Sequence, residues 1–133
     1  MKTILKTAAL LATLATAAVA HEPPSEHKGV SVFGKAALEL GTQIPAMEGY
    51  KVQIRSVVVE TGGIVKFHTH DTRPGAFYVA KGDGVREFQG ADDKVGRIIK
   101  AGEAVLEDHD TDHWLKNEGG EALFFVFDIV PSK

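Results

Sequence analysis

YKVQIRSVVVETGGIVKFHTH, residues 50–70, is the stretch on which the fold turns. Its first half, Tyr50-Lys51-Val52-Gln53-Ile54-Arg55, alternates in the two-residue period of an extended strand with one buried face, and Val57-Val58-Val59 adds a β-branched run. Gly62-Gly63 is expected to end that strand, and a second one, Ile64 to His70, follows. It closes on His68-Thr69-His70, whose two imidazoles project from the same face because residues i and i+2 share a side of a strand. His113 stands forty-three residues after His70, at the head of the apolar-polar segment Trp114 to Asn117. An antiparallel neighbour there would bring it opposite the pair, and three imidazoles so placed can hold one metal ion. Any one of these histidines alone reads as an ordinary half-exposed strand residue.

Short apolar runs recur between turns on either side of this stretch: Ala76 to Ala80, Val85 to Gln89, Val95 to Lys100, Ala104 to Glu107, His113 to Lys116 and Ala122 to Val130. Such spacing predicts an all-β sandwich or barrel. Gly82-Asp83-Gly84 and Glu118-Gly119-Gly120 carry hairpin-type turn residues. His21 to Gly29, with Pro23-Pro24, lacks periodicity and reads as a flexible leading segment. Val30 to Leu40 reads as a first strand or an irregular arm, and Gly41 to Gly49, with Pro45, as a loop. The organisation expected is thus 1–20 a secretory signal, 21–49 an N-terminal segment and arm, and 50–130 one barrel domain.

Composition excludes some functions. Lys2 and Lys6, the apolar stretch Ala8 to Ala17 and the small residues Ala18-Val19-Ala20 predict an export signal cleaved before His21, and hence a periplasmic or secreted protein with no membrane association after cleavage. Cleavage removes two lysines and no carboxylate, which takes the net charge from −3 to −5. Basic residues are scattered among acidic ones, so nucleic acid is not an expected partner. With no cysteine there are neither disulfides nor thiolate ligands, and stability must come from the core. Leu123 to Val130 is apolar on both faces apart from Asp128. One row must face away from the barrel and needs cover from the N-terminal arm or a partner; the reading taken is a homodimer in which Phe124 and Val126 form the outer row.

The histidines and the glycines around them resemble the two motifs of the cupin superfamily, G-x5-H-x-H-x(3,4)-E-x6-G and G-x5-P-x-G-x2-H-x3-N. Gly62, His68, His70 and Gly82 match the first; Gly102, His113 and Asn117 match the second. The resemblance spans Tyr50 to Val130 and implies a single-domain β-barrel of the double-stranded β-helix or jelly-roll kind, with His68, His70 and His113 as metal ligands. It also departs. Asp71-Thr72-Arg73-Pro74-Gly75 puts Gly75 where the first motif has its glutamate, so the fourth protein ligand is expected to be missing. Asp108 and Asp110 stand for the proline and glycine of the second motif.

Three neutral imidazoles would leave a divalent ion its full charge and several open positions, an environment that suits Fe, Mn, Ni, Cu or Zn and favours Lewis-acid or oxygen chemistry. The resemblance extends to thiol and diketone dioxygenases of the cupin class. Tyr78 and Arg55 are the candidate catalytic residues, with Arg73 and Glu87, because a phenol, guanidinium groups and a carboxylate can line a barrel mouth. His109 reads as an exposed loop residue rather than a fourth ligand, and Asp71 as pointing away from the pair. His21, as a mature N-terminus, would offer a copper site of its own. Two functions are expected on these grounds: an oxygen-dependent metalloenzyme acting on a small oxygenated or aromatic compound, or a module that binds a metal or small ligand without turnover.

Overall fold

The computed structural model describes residues 22–133; the expected signal and His21 lie outside the described residues. Eight strands follow in order: β1 (Lys28–Glu39), β2 (Tyr50–Thr69), β3 (Gly75–Lys81), β4 (Val85–Gln89), β5 (Arg97–Ile99), β6 (Ala104–Glu107), β7 (Asp112–Asn117) and β8 (Ala122–Pro131). One 3-10 turn, Pro45–Met47, lies in the expected loop, and there is no α-helix among the described residues. All pairings are antiparallel, in the order β5-β4-β7-β2-β8-β3-β6 with β1 against β2. This is an all-β curled sheet of the barrel and jelly-roll type.

β2 organises it. Its residues 50–59 pair with β8, and its residues 64–69 pair with β7, so one strand serves both halves of the sheet. The glycine pair expected to end the strand instead lets it bend where it changes partner, with Gly62 at φ 74°. β1 is a strand along most of the expected arm, running antiparallel to β2. The leading segment lies along β2: Phe67 N–H donates to Pro24 O at 2.8 Å, and Lys66 N–H to His27 Nδ1 at 3.1 Å.

Neither glycine turn closes a hairpin, because β3 does not pair with β4, nor β7 with β8. Both turns are crossovers between the halves, and they pack on each other: Glu118 N–H donates to Gly84 O at 2.7 Å, and a Cβ on Gly84 would come within 2.6 Å of Gly119 Cα. Glycine is needed there for close approach of two backbones. Asn117 ties the same end, donating from Nδ2 to Val59 O at 2.9 Å and to Gly120 O at 2.7 Å, and accepting at Oδ1 from Gly119 N–H at 3.1 Å.

The core is the inward row of β2 to β8, including Val57 and Val59 of β2, Phe77 and Val79 of β3, and Phe124 and Val126 of β8. Here the expected phase of β8 is corrected. Phe124 and Val126 face inward, opposite Val57 and Arg55 of β2, while Phe125 and Phe127 stay 37% and 43% exposed. When both rows of a strand are apolar, its own sequence cannot set the phase; register with the neighbour does.

Candidate metal centre and its pocket

His68 and His113 are direct cross-strand partners of β2 and β7. Their Nε2 atoms lie 3.1 Å apart, and His70 closes the group, with ring centroids 5.0 Å from His68 and 5.1 Å from His113. The three expected ligands are therefore together. Each ring is also oriented from behind. His68 Nδ1 lies 2.8 Å from Lys66 O, His70 Nδ1 3.1 Å from Arg73 O, and His113 Nδ1 2.8 Å from Glu87 Oε1. An Nδ1–H donated to these acceptors would free the Nε2 lone pairs of His68 and His113, 3.1 Å apart, for a shared ion, as metal-ligating histidines require. Glu87, expected at the mouth, is instead fully buried behind His113, and its other oxygen accepts from Arg97 Nε at 2.7 Å.

The fourth ligand is not missing. Glu107, at the end of β6, places Oε1 3.3 Å from His113 Nε2 and Oε2 3.5 Å from His70 Nδ1. Ligand atoms of His68, His70, Glu107 and His113 all fall within 4.8 Å of one another. Glu107 is the direct cross-strand partner of Gly75, the position where the first motif has its glutamate. A side chain at Gly75 would collide with Phe127 O and meet Asp128 Oδ1 at 3.1 Å. The candidate carboxylate thus comes from β6 and not from β3, and glycine at 75 makes room for the backbone of β8. Sequence spacing missed Glu107 because a ligand delivered across a ladder leaves no motif in the chain.

The donor set fits a divalent ion. His70 Nε2 and Glu107 Oε2 are buried with no hydrogen-bond partner, a costly arrangement that a cation at the centre would relieve. Three imidazoles and one carboxylate would leave such an ion one net positive charge, not the two expected from histidines alone. Burial, helped by the neighbouring imidazoles, pushes His68 down to about 4, and burial also lowers His70. Burial acts the same way on His113, but the carboxylates of Glu107 and Glu87 outweigh it and raise that group to about 9. Burial alone would raise Glu87; hydrogen bonds from His113 and Arg97 hold it below the usual carboxylate range.

Above the centre lies a cavity of about 520 Å³, a size suited to a small molecule. Arg55 and Arg73 line it, as expected of mouth residues. Arg55 pairs with Asp128, which is buried and also accepts from Gln53 Nε2 at 3.2 Å. Tyr78 does not reach the cavity. Phe77 and Val79 take the inward positions of β3, so Tyr78 points outward at 42% exposure, and its expected place at the mouth is corrected. His109 is an exposed loop residue 3.2 Å from Asp110, as expected. Asp71 is exposed and caps the turn, accepting from Thr72 N–H at 3.0 Å.

Among proteins of curated function, none matches the sequence. Solved structures share the fold at low identity. Recombinant oxalate oxidase in complex with glycolate aligns at 23% identity and a TM-score of 0.55 over 78% of this chain, which spans about half (52%) of that protein. An uncharacterized conserved protein with a double-stranded β-helix domain, from Klebsiella pneumoniae, aligns at 21% identity and 0.52 over 60% of this chain and 67% of its own. A protein from Bacillus halodurans aligns at 16% and 0.55, over 65% and 67%. The family model of the cupin domain, Cupin_2, matches residues 55–130, from within β2, which carries His68, into β8, and the chain belongs to the cupin family.

Proposed function

We propose that this chain is an exported cupin that binds one divalent metal ion through His68, His70, Glu107 and His113 and acts as an oxygen-dependent, dioxygenase-like metalloenzyme on a small oxygenated or aromatic compound. The observation that carries the metal is the clustering of the three rings, each held at Nδ1 by an acceptor, with Glu107, so that one ligand atom of each of the four residues lies within 4.8 Å of the others. A bound ion would supply Lewis acidity or oxygen chemistry there. The chain's own residues do the rest. Glu87 holds His113 in the ligating tautomer, the valine and phenylalanine walls exclude water, and Arg55, fixed by Asp128, is the catalytic-site group that meets the substrate. Tyr78 has no part in this reading because it lies outside the cavity.

Metal analysis of the purified protein, followed by oxygen uptake on candidate compounds, tests it. About one equivalent of a metal, Fe, Mn, Ni, Cu or Zn, with oxygen consumption would support the enzyme. One equivalent without turnover of any compound would favour the non-catalytic binding module. We also propose a homodimer through the outer faces of β8 and its neighbours. Phe33, Ser56, Phe125 and Tyr78 form one row across β1, β2, β8 and β3, and its three aromatic rings are substantially exposed.

A further inference from the structure

The chain is acidic, with 18 carboxylate residues against 15 Lys and Arg, yet the cavity over the metal centre is not. Arg55, Lys66 and Arg73 line it, and the one acidic residue there is Glu107, which belongs to the candidate ligands. A second cavity of about 330 Å³ shares Val32, Arg55 and Arg73 with the first, adds Lys35, and has no acidic lining residue. The two cavities therefore adjoin at Arg55 and Arg73, with Lys66 lining the first and Lys35 the second. Asp128 neutralises Arg55, but among the described residues no carboxylate pairs with Lys35, Lys66 or Arg73.

Three unpaired cations lining two adjoining cavities, in a protein of opposite net charge, concentrate anions there. The rest of the cavity wall is apolar, with Val57, Val65, Phe77, Leu115 and Phe124 below the rim. Its volume exceeds what a bare small anion fills, so an occupant matched to it has a hydrocarbon or aromatic body as well as a negative group. Planar guanidinium groups suit a carboxylate, which accepts two parallel hydrogen bonds.

We infer that the pocket selects small organic carboxylates with an apolar body, the carboxylate held at the Arg55–Arg73–Lys66 rim and the body lying over the valine and phenylalanine wall. This deepens the metalloenzyme reading above by naming its substrate class, and it rests on that reading only for the reaction, not for binding.

The test is calorimetric binding of phenylacetate and its uncharged isostere phenylacetamide to the whole protein loaded with zinc, an ion that causes no turnover with oxygen. Phenylacetate is expected to bind roughly ten- to a hundredfold tighter than the amide, the range for hydrogen bonds to charged groups. Arg73→Gln and Lys66→Gln should each reduce that preference severalfold. Zinc stoichiometry should stay unchanged, since the hydrogen bonds these residues make to the histidines come from their backbone carbonyls. Arg55 is left intact because removing it would strand the buried Asp128. Equal affinity for acid and amide, or no saturable binding of either, would overturn the inference. A preference that survives in both variants would assign the anion to the ion alone and would also overturn the rim. Failure of the wild type to bind zinc would sink the metal reading only, since the same comparison on zinc-free protein still decides the rim.

Discussion

The two faces of the β2–β8–β3 sheet are built from similar residues and treated in opposite ways. On the inner face Phe124 and Val126 are packed away, and each site histidine is oriented by an acceptor behind it. On the outer face Phe125, Phe127 and Tyr78 are 37%, 43% and 42% exposed, and Leu106 on β6 reaches 82%. Hydrophobicity does not separate these faces; curvature and the polar residues within them do. An inner row that contains Asp128 must supply that carboxylate with Arg55 and Gln53, which fixes which way the strand faces.

The largest way to break this contrast is Phe124→Asp. Removing the ring leaves a cavity and buries a carboxylate without a partner, which together cost roughly 4 kcal/mol or more. Loss of the cooperative thermal transition is expected, and a variant melting like the wild type would show that the inner face was wrongly assigned. Next comes His113→Ala, which should lose most of the bound metal because four ligands leave little redundancy. Metal stoichiometry near one in that variant would remove His113 from the site.

A smaller effect is expected behind the ligands. Glu87→Gln keeps the shape of His113's partner but weakens its hold, and should lower metal affinity by about 10- to 100-fold, measured by chelator competition. On the outer face, Phe125→Asp should leave the melting temperature within a few degrees of wild type, in the range of ordinary surface substitutions. It should convert a wild-type dimer to monomer in sedimentation; a wild type already monomeric at micromolar concentration would refute the dimer. The smallest change belongs to neither face. Asp93 accepts from the backbone N–H groups of Gly96, Gln89 and Val95, which hold its carboxyl below the usual range. A group lowered on folding stabilises the fold above its ordinary value, about 4, and loses that contribution as pH falls through the lowered one. Asp93→Ala should therefore speed amide exchange in the β4–β5 turn at neutral pH and make less difference in acid.

By itself the sequence determined the all-β class, the extents of most strands, and three of the four candidate ligands, because a two-residue period and a His-x-His spacing are local properties of the chain. It also placed Gly75 and Asn117 at special positions, although not the reason for them. Only the tertiary structure decided what depends on which strands lie side by side. Gly62-Gly63 bends a strand rather than ending it, the two glycine turns cross between halves rather than closing hairpins, and β8 turns Phe124 inward. Glu107 belongs with these. It is separated from His70 by a loop and three strands, and comes beside it only because β6 pairs with β3 opposite Gly75. A ladder brings together residues that sequence distance keeps apart, so the carboxylate of the site could be found only after the sheet was assembled.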